Sequence, residues 1–279
     1  MFGSTILDVA LGLIFSFLMI SLVTSAVTET VASALSWRAN TLLQGVKDLV
    51  NDPQFNGIAL RIYNHAAVNP RSDGTALSQA VLTAKPSYID PKQFANALID
   101  VAQLTSGTTP AALEAQINAA IPNPQLNQML NGIVARTGGN IDRVRDEIAS
   151  WFDAGMDRVA GVYKRKTQLW GLSIGLGLAI ILNVDAVNIA HSLWNQPMIM
   201  KGFVPPPAGE TAQQAKDQLQ ALGVPFGWDN EALNSFLTWP NCLYVVAGWL
   251  ISAVATLFGA PFWFDSLQRF VQLRGAGSN

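Results

Sequence analysis

The chain is poor in cysteine, histidine and charge. Cys242 is its only cysteine, which excludes an internal disulfide framework and any multi-cysteine metal cluster and leaves thiol redox chemistry without footing. His65 and His191 are its only histidines, and neither has a second histidine or a cysteine at metal-ligand spacing, so no metal site is expected. Charged residues make up 13% of the 279, with a net charge of −2, and no bulk field of this size draws a nucleic acid. There is no Gly-rich phosphate loop, no Gly-x-Ser-x-Gly elbow, no paired-carboxylate constellation and no repeat at a fixed period. Catalytic residues, cofactors and an enzymatic role are therefore not expected.

What is abundant is apolar. Half the residues are hydrophobic and the mean hydropathy is +0.27, too high for an ordinary soluble domain, so part of the surface must face lipid. Three segments qualify. Ile6 to Val27 is apolar apart from Asp8 and small hydroxyl residues, and about 20 residues of helix cross the hydrocarbon core. A cleaved signal peptide is its rival, because Ala32-Ser33-Ala34 resembles a cleavage site, but no lysine or arginine precedes the segment and a retained helix is expected. Leu169 to about Ala190 is the second, with Trp170 and Trp194 at its two ends; Cys242 to Phe264 is the third, flanked by Trp239, Tyr244, Phe262 and Trp263.

Orientation follows from the basic residues. Lys164, Arg165 and Lys166 precede the second segment, Arg38 and Lys47 follow the first, and Arg269 and Arg274 follow the third. The stretch from Leu193 to Thr238 carries only Lys201 and Lys216 against Glu210, Asp217, Asp229 and Glu231. The expected fold class is thus an all-α membrane protein of three transmembrane helices, with a helical cytoplasmic domain between the first and second. Its parts are a first transmembrane helix in 1–38, a cytoplasmic helical domain in 39–139, and a long stalk helix continuing into the second transmembrane helix in 140–194. An extracytoplasmic loop in 195–238 and a third transmembrane helix with a cytoplasmic tail in 239–279 complete it. The amino terminus is expected outside and the carboxyl terminus in the cytoplasm.

Within the soluble part, Asp90-Pro91 and Thr109-Pro110 each read as a cap with proline at the first helical position. Phe94, Leu98 and Val101 mark one apolar face, and Leu113, Ile117 and Ile121 another. A helix around Leu126 to Arg136 is closed by Gly138 and Gly139, while residues 69–87 read as loop. Asn140 caps a longer helix with Ile141, Val144, Ile148, Phe152, Val159 and Tyr163 as its stripe. With no breaker before Thr167, it predicts a rod of ~50 residues or ~75 Å, with Gly155 and Gly161 as weak points. The outer loop holds Pro205-Pro206-Pro207, a short helix from Thr211 to Leu222, and Pro225-Phe226-Gly227-Trp228, and reads as a compact connector rather than a lid.

Several motifs stand out: Leu7-Asp8-Val9-Ala10-Leu11-Gly12-Leu13-Ile14-Phe15, Trp151-Phe152-Asp153 with Met156-Asp157-Arg158-Val159, Tyr163-Lys164-Arg165-Lys166-Thr167-Gln168, Leu182-Asn183-Val184-Asp185 and Gly259-Ala260-Pro261-Phe262-Trp263-Phe264-Asp265. In these the chain resembles a widespread family of uncharacterised bacterial integral membrane proteins. The resemblance covers nearly the whole chain, implies a bacterial inner membrane, and brings no activity with it.

Two sets of residues are candidates for function. Gly171, Gly175 and Ala179 recur every four residues, as do Gly248, Ser252, Thr256 and Ala260, and such stripes let helix backbones approach closely. Gly259-Ala260-Pro261 should bend the end of the third helix. Asn183, Asp185, Asn188 and His191 make the outer third of the second segment polar, and ionisable groups within a span are costly enough to be functional candidates. Counted from Leu169, Asp185 lies ~24 Å along the helix, near the headgroups, which favours an interfacial cap over an ion or proton site. The expected function is a non-enzymatic, membrane-anchored structural or assembly subunit of a larger membrane complex, its partners being the bilayer and other membrane-protein subunits of the same or different sequence. The alternative is a homo-oligomeric ion channel or transporter subunit, using those polar residues and the hydroxyl face Ser21, Thr24, Ser25 and Thr28 of the first helix.

Overall fold

A computed structural model of the chain describes residues 2–82, 84–195, 227–228 and 230–276. The described residues are all-helical, without a strand: α1 Phe2–Ala34, α2 Trp37–Leu49, α3 Ile58–Tyr63, α4 Pro91–Val101, α5 Pro110–Ala120, α6 Pro124–Thr137, α7 Ile141–Ile181, α8 Ala186–Asn195, α9 Asn230–Leu237, α10 Asn241–Thr256 and α11 Gly259–Ala276. The expected short helix from Thr211 to Leu222, with Pro205 to Pro207, lies outside the described residues. The chain divides into two compact units, one of Met1–Ala32 with Lys166–Asn279 and one of Ser33–Arg165.

The second unit is an ordinary helical domain, and its helices start where polar caps dictate. Asp90 Oδ1 accepts from the Lys92 and Gln93 amides, Thr109 Oγ1 from Ala112, Asn123 Oδ1 from Leu126 and Asn140 Oδ1 from Arg143, each binding amides that a helix start would otherwise leave unpaired. Pro91, Pro110 and Pro124 open three of these helices. Gly138, with φ of 63°, closes α6 in the left-handed region that only glycine enters cheaply. The apolar faces then meet in one core holding Leu43, Phe94, Leu98, Leu113, Ile117, Ile121, Leu130, Ile148 and Phe152, with Phe94 stacked on Phe152 at 4.0 Å.

Four features of this unit are not evident from the sequence. Asp52 is buried and receives the amides of Asn56, Gly57 and Ala59, which fixes the start of α3. The loop of 69–87 is latched by Asn64 Nδ2 to the Ala76 carbonyl at 2.8 Å and by Lys47 Nζ to Gln79 Oε1 at 3.2 Å. Gly155 is a point of close approach, since a Cβ there would stand 2.8 Å from Leu49 Cδ1, whereas Gly161 has nothing within 4 Å. The phenol of Tyr63 is fully buried, and burial pushes its pKa well above the usual tyrosine range.

The first unit inverts the pattern of a soluble domain. In α10 the buried residues are Val245, Gly248, Trp249, Ser252, Ala253, Ala255 and Thr256, while Leu243, Tyr244, Val246, Leu250, Ile251 and Val254 are exposed. Small and hydroxyl side chains inside with large aliphatic ones outside is what a helix in lipid requires, and a soluble monomer does not tolerate so long an apolar surface. By length and composition Val9–Ala34 can cross a membrane as one straight helix, which supports insertion of the chain in a membrane.

The second apolar segment differs from the uninterrupted helix expected, while the third bends at Gly259-Ala260-Pro261, where a bend is expected. The segment from Leu169 to about Ala190 breaks after Ile181 and resumes at Ala186 with a bend of 50°, and the segment from Cys242 to Phe264 turns by 97° between Thr256 and Gly259. Each passes the length and composition test only as a bent pair. In the third segment the turn comes at Gly259, with φ of 78°. Pro261 falls in the first turn of α11, where its missing N–H costs nothing, so it opens a new helix instead of kinking an old one. The rod from Asn140 is correspondingly shorter than ~75 Å: α7 spans 41 residues, about 60 Å.

Candidate functional site

The polar residues of the second apolar segment gather at the break between α7 and α8. Asn183 has a φ of 47°, a left-handed conformation that asparagine adopts more readily than most residues, and it ends α7 while the Val184 amide reaches back to the Ala179 carbonyl at 2.8 Å. Asp185 then starts α8: its Oδ1 accepts from the Val187 amide at 2.9 Å and the Asn188 amide at 3.1 Å. This is a helix cap set inside an apolar unit, with the carboxylate at the positive end of α8.

Breaking a helix frees carbonyls that lipid cannot satisfy, so such a break persists only where protein groups take them up. Here they do. Ser252 Oγ donates to the Val184 carbonyl at 2.7 Å, Trp228 Nε1 to that of Ile180 at 2.9 Å, and the Gly227 amide to that of Leu182 at 2.9 Å. Asn183 serves both sides, donating through Nδ2 to the Gly227 carbonyl at 2.8 Å and accepting at Oδ1 from Trp249 Nε1 at 3.0 Å. The rings of Trp228, Phe236 and Trp249 close over this network, with centroids 5.4 to 5.9 Å apart.

The small-residue stripes divide on inspection. Gly248 faces the Asp185 carboxylate and the Ala186 amide so closely that no side chain fits. A Cβ on Gly175 would lie 2.6 Å from Thr256 Oγ1, and Ala179, Ser252, Thr256 and Ala260 are all buried. Among the described residues, nothing lies within 4 Å of a Cβ placed on Gly171 or Gly177. Of the polar set, Asn183 and Asp185 come together with Gly248, Trp249 and Ser252; Asn188 joins through its backbone amide alone; and His191 is exposed, 3.3 Å from Asn195 Nδ2.

Trp228 and Trp249, which carry much of this site, are not among the residues the sequence marks out. Pro225-Phe226-Gly227-Trp228 reads as a connector from sequence, yet Gly227 and Trp228 are hydrogen-bonding partners of the break. What the arrangement does chemically is hold three pieces of chain in register through the hydrogen bonds of Asn183, Asp185, Gly227, Trp228, Trp249 and Ser252. Among the described residues no group of three His, Cys, Asp or Glu side chains is placed to hold a metal ion. Comparison with protein-family models, with curated proteins and with solved structures found no match to the chain.

Proposed function

We propose that the chain is a non-enzymatic, membrane-anchored structural or assembly subunit of a larger complex in a bacterial inner membrane. In this reading it crosses three times, through α1, through the end of α7 with α8, and through α10 with α11. The amino terminus is outside, and residues from about Arg38 to Lys166 and the carboxyl terminus are in the cytoplasm. The basic residues flanking each crossing support that orientation. Beyond the bend, Ala260 and Leu267 of α11 are buried while Asp265 and Arg269 are exposed.

The observation that carries this function is the use made of Asn183 and Asp185. Their bonds go to capping two helices and stitching them to α10 and to Gly227, which is the work of a scaffold. A conducting or transporting role draws on a different feature, the buried hydroxyls of Ser21, Thr24 and Thr28, which have no hydrogen-bond partner among the described residues. Purification in mild detergent followed by native mass determination separates the two. A scaffold subunit should run as a defined complex with other membrane subunits, well above its own 30.0 kDa. A single chain free of partners contradicts the proposal, and a closed ring of this chain alone that passes ions in vesicles favours conduction.

A further inference from the structure

We infer that the loop between α3 and α4 is a second membrane contact, seating its exposed apolar side chains in the headgroup layer beside the point where α1 ends. The inference rests on the reading that α1 crosses the bilayer.

The loop is held at fixed points. Ala76 and Leu82 are buried in the core of their unit, Asn64 binds the Ala76 carbonyl and Lys47 binds Gln79. Between and beyond those anchors the large apolar side chains point away from the core: Leu77 is 85% exposed, Val81 56% and Tyr88 65%. One exposed leucine is ordinary in a soluble surface, but three large apolar residues displayed by one pinned segment mark a contact surface.

The occupant follows from where the segment is tied. Lys85 Nζ donates to Asn40 Oδ1 at 3.1 Å, and Asn40 Nδ2 donates to the Leu35 carbonyl at 3.1 Å. Leu35 directly follows Ala34, the last residue of α1, and is itself 54% exposed. Two hydrogen bonds thus connect the loop to the end of the membrane helix. Leucine and valine can enter the outermost hydrocarbon, tyrosine favours the interface, and Arg38 and Lys85 suit an anionic headgroup layer. A lipid surface satisfies all of these at once.

The test uses the full chain carrying Cys242→Ser, with a fluorescent probe attached at Leu77→Cys, Leu250→Cys or Ser106→Cys. Each protein is reconstituted in vesicles of phosphatidylethanolamine and phosphatidylglycerol, with or without brominated acyl chains. Brominated lipid should reduce emission at positions 77 and 250 and leave position 106 unchanged. Quenching at 250 with none at 77 overturns the inference while the membrane reading stands. No quenching at 250 overturns the membrane reading itself. Shielding of the probe at 77 in detergent that grows with protein concentration would assign the surface to a second copy of the chain and likewise overturn the inference.

Discussion

Replacing Gly248 by leucine destabilises the membrane unit by about 2–4 kcal/mol, whereas the same replacement at Gly177 leaves it intact. At Gly248 the atoms a side chain would meet are the Asp185 carboxylate and the Ala186 amide nitrogen. Neither is the loose end of a flexible side chain. Overpacking alone costs about 1–3 kcal/mol, and displacing Asp185 adds the loss of a helix cap, roughly 1 kcal/mol. Gly175→Leu should be milder, near the same ~1–3 kcal/mol, since its neighbour Thr256 is a side chain that can turn at the expense of its bond to the Ala253 carbonyl. Among the described residues nothing stands within 4 Å of a Cβ on Gly171 or Gly177, so leucine there removes a poor helix former and meets no such neighbour. Thermal unfolding in detergent should rank the variants Gly248, Gly175, then Gly171 and Gly177 together. A loss at Gly177 equal to that at Gly248 would show that the close approach is misplaced.

The second large effect is expected at Asn183. Asn183→Leu strands the Trp249 indole N–H and the Gly227 carbonyl in a buried site, and each orphaned group costs about 1–3 kcal/mol. Leucine must also take up the left-handed conformation held by Asn183, at a further ~1 kcal/mol. Trp249→Phe, by contrast, leaves only Asn183 Oδ1 unmet, at about 1–2 kcal/mol. Because the two residues share one hydrogen bond, the double variant should be more stable than the sum of the single losses predicts. Strict additivity would mean that the bond contributes nothing.

Legibility of the chain in its sequence follows the range of the forces involved. Helix starts are local, decided by a cap and the two or three residues after it, so Asp90-Pro91, Thr109-Pro110 and Asn140 mark them correctly. Apolar faces are nearly as local, which is why Phe94, Leu98, Leu113 and Ile117 are read as core and are core. The bend at Gly259-Ala260-Pro261 is legible in its glycine and proline, whereas the break in the second segment escapes because hydropathy averages over a span and Leu182-Asn183-Val184-Asp185 is too short to lower that average. The motif contains both halves of the break, an asparagine suited to a left-handed turn and an aspartate suited to a cap. What stabilises the break is distant: Ser252 and Trp249 lie more than sixty positions along the chain.

The account depends most on which side of the membrane each soluble part occupies, and cysteine accessibility in intact cells measures this directly. In a Cys242→Ser chain, an impermeant thiol reagent should label Gln213→Cys before lysis, and Ser106→Cys only once the membrane is opened. Equal labelling of both positions in intact cells would contradict three crossings with a cytoplasmic helical domain.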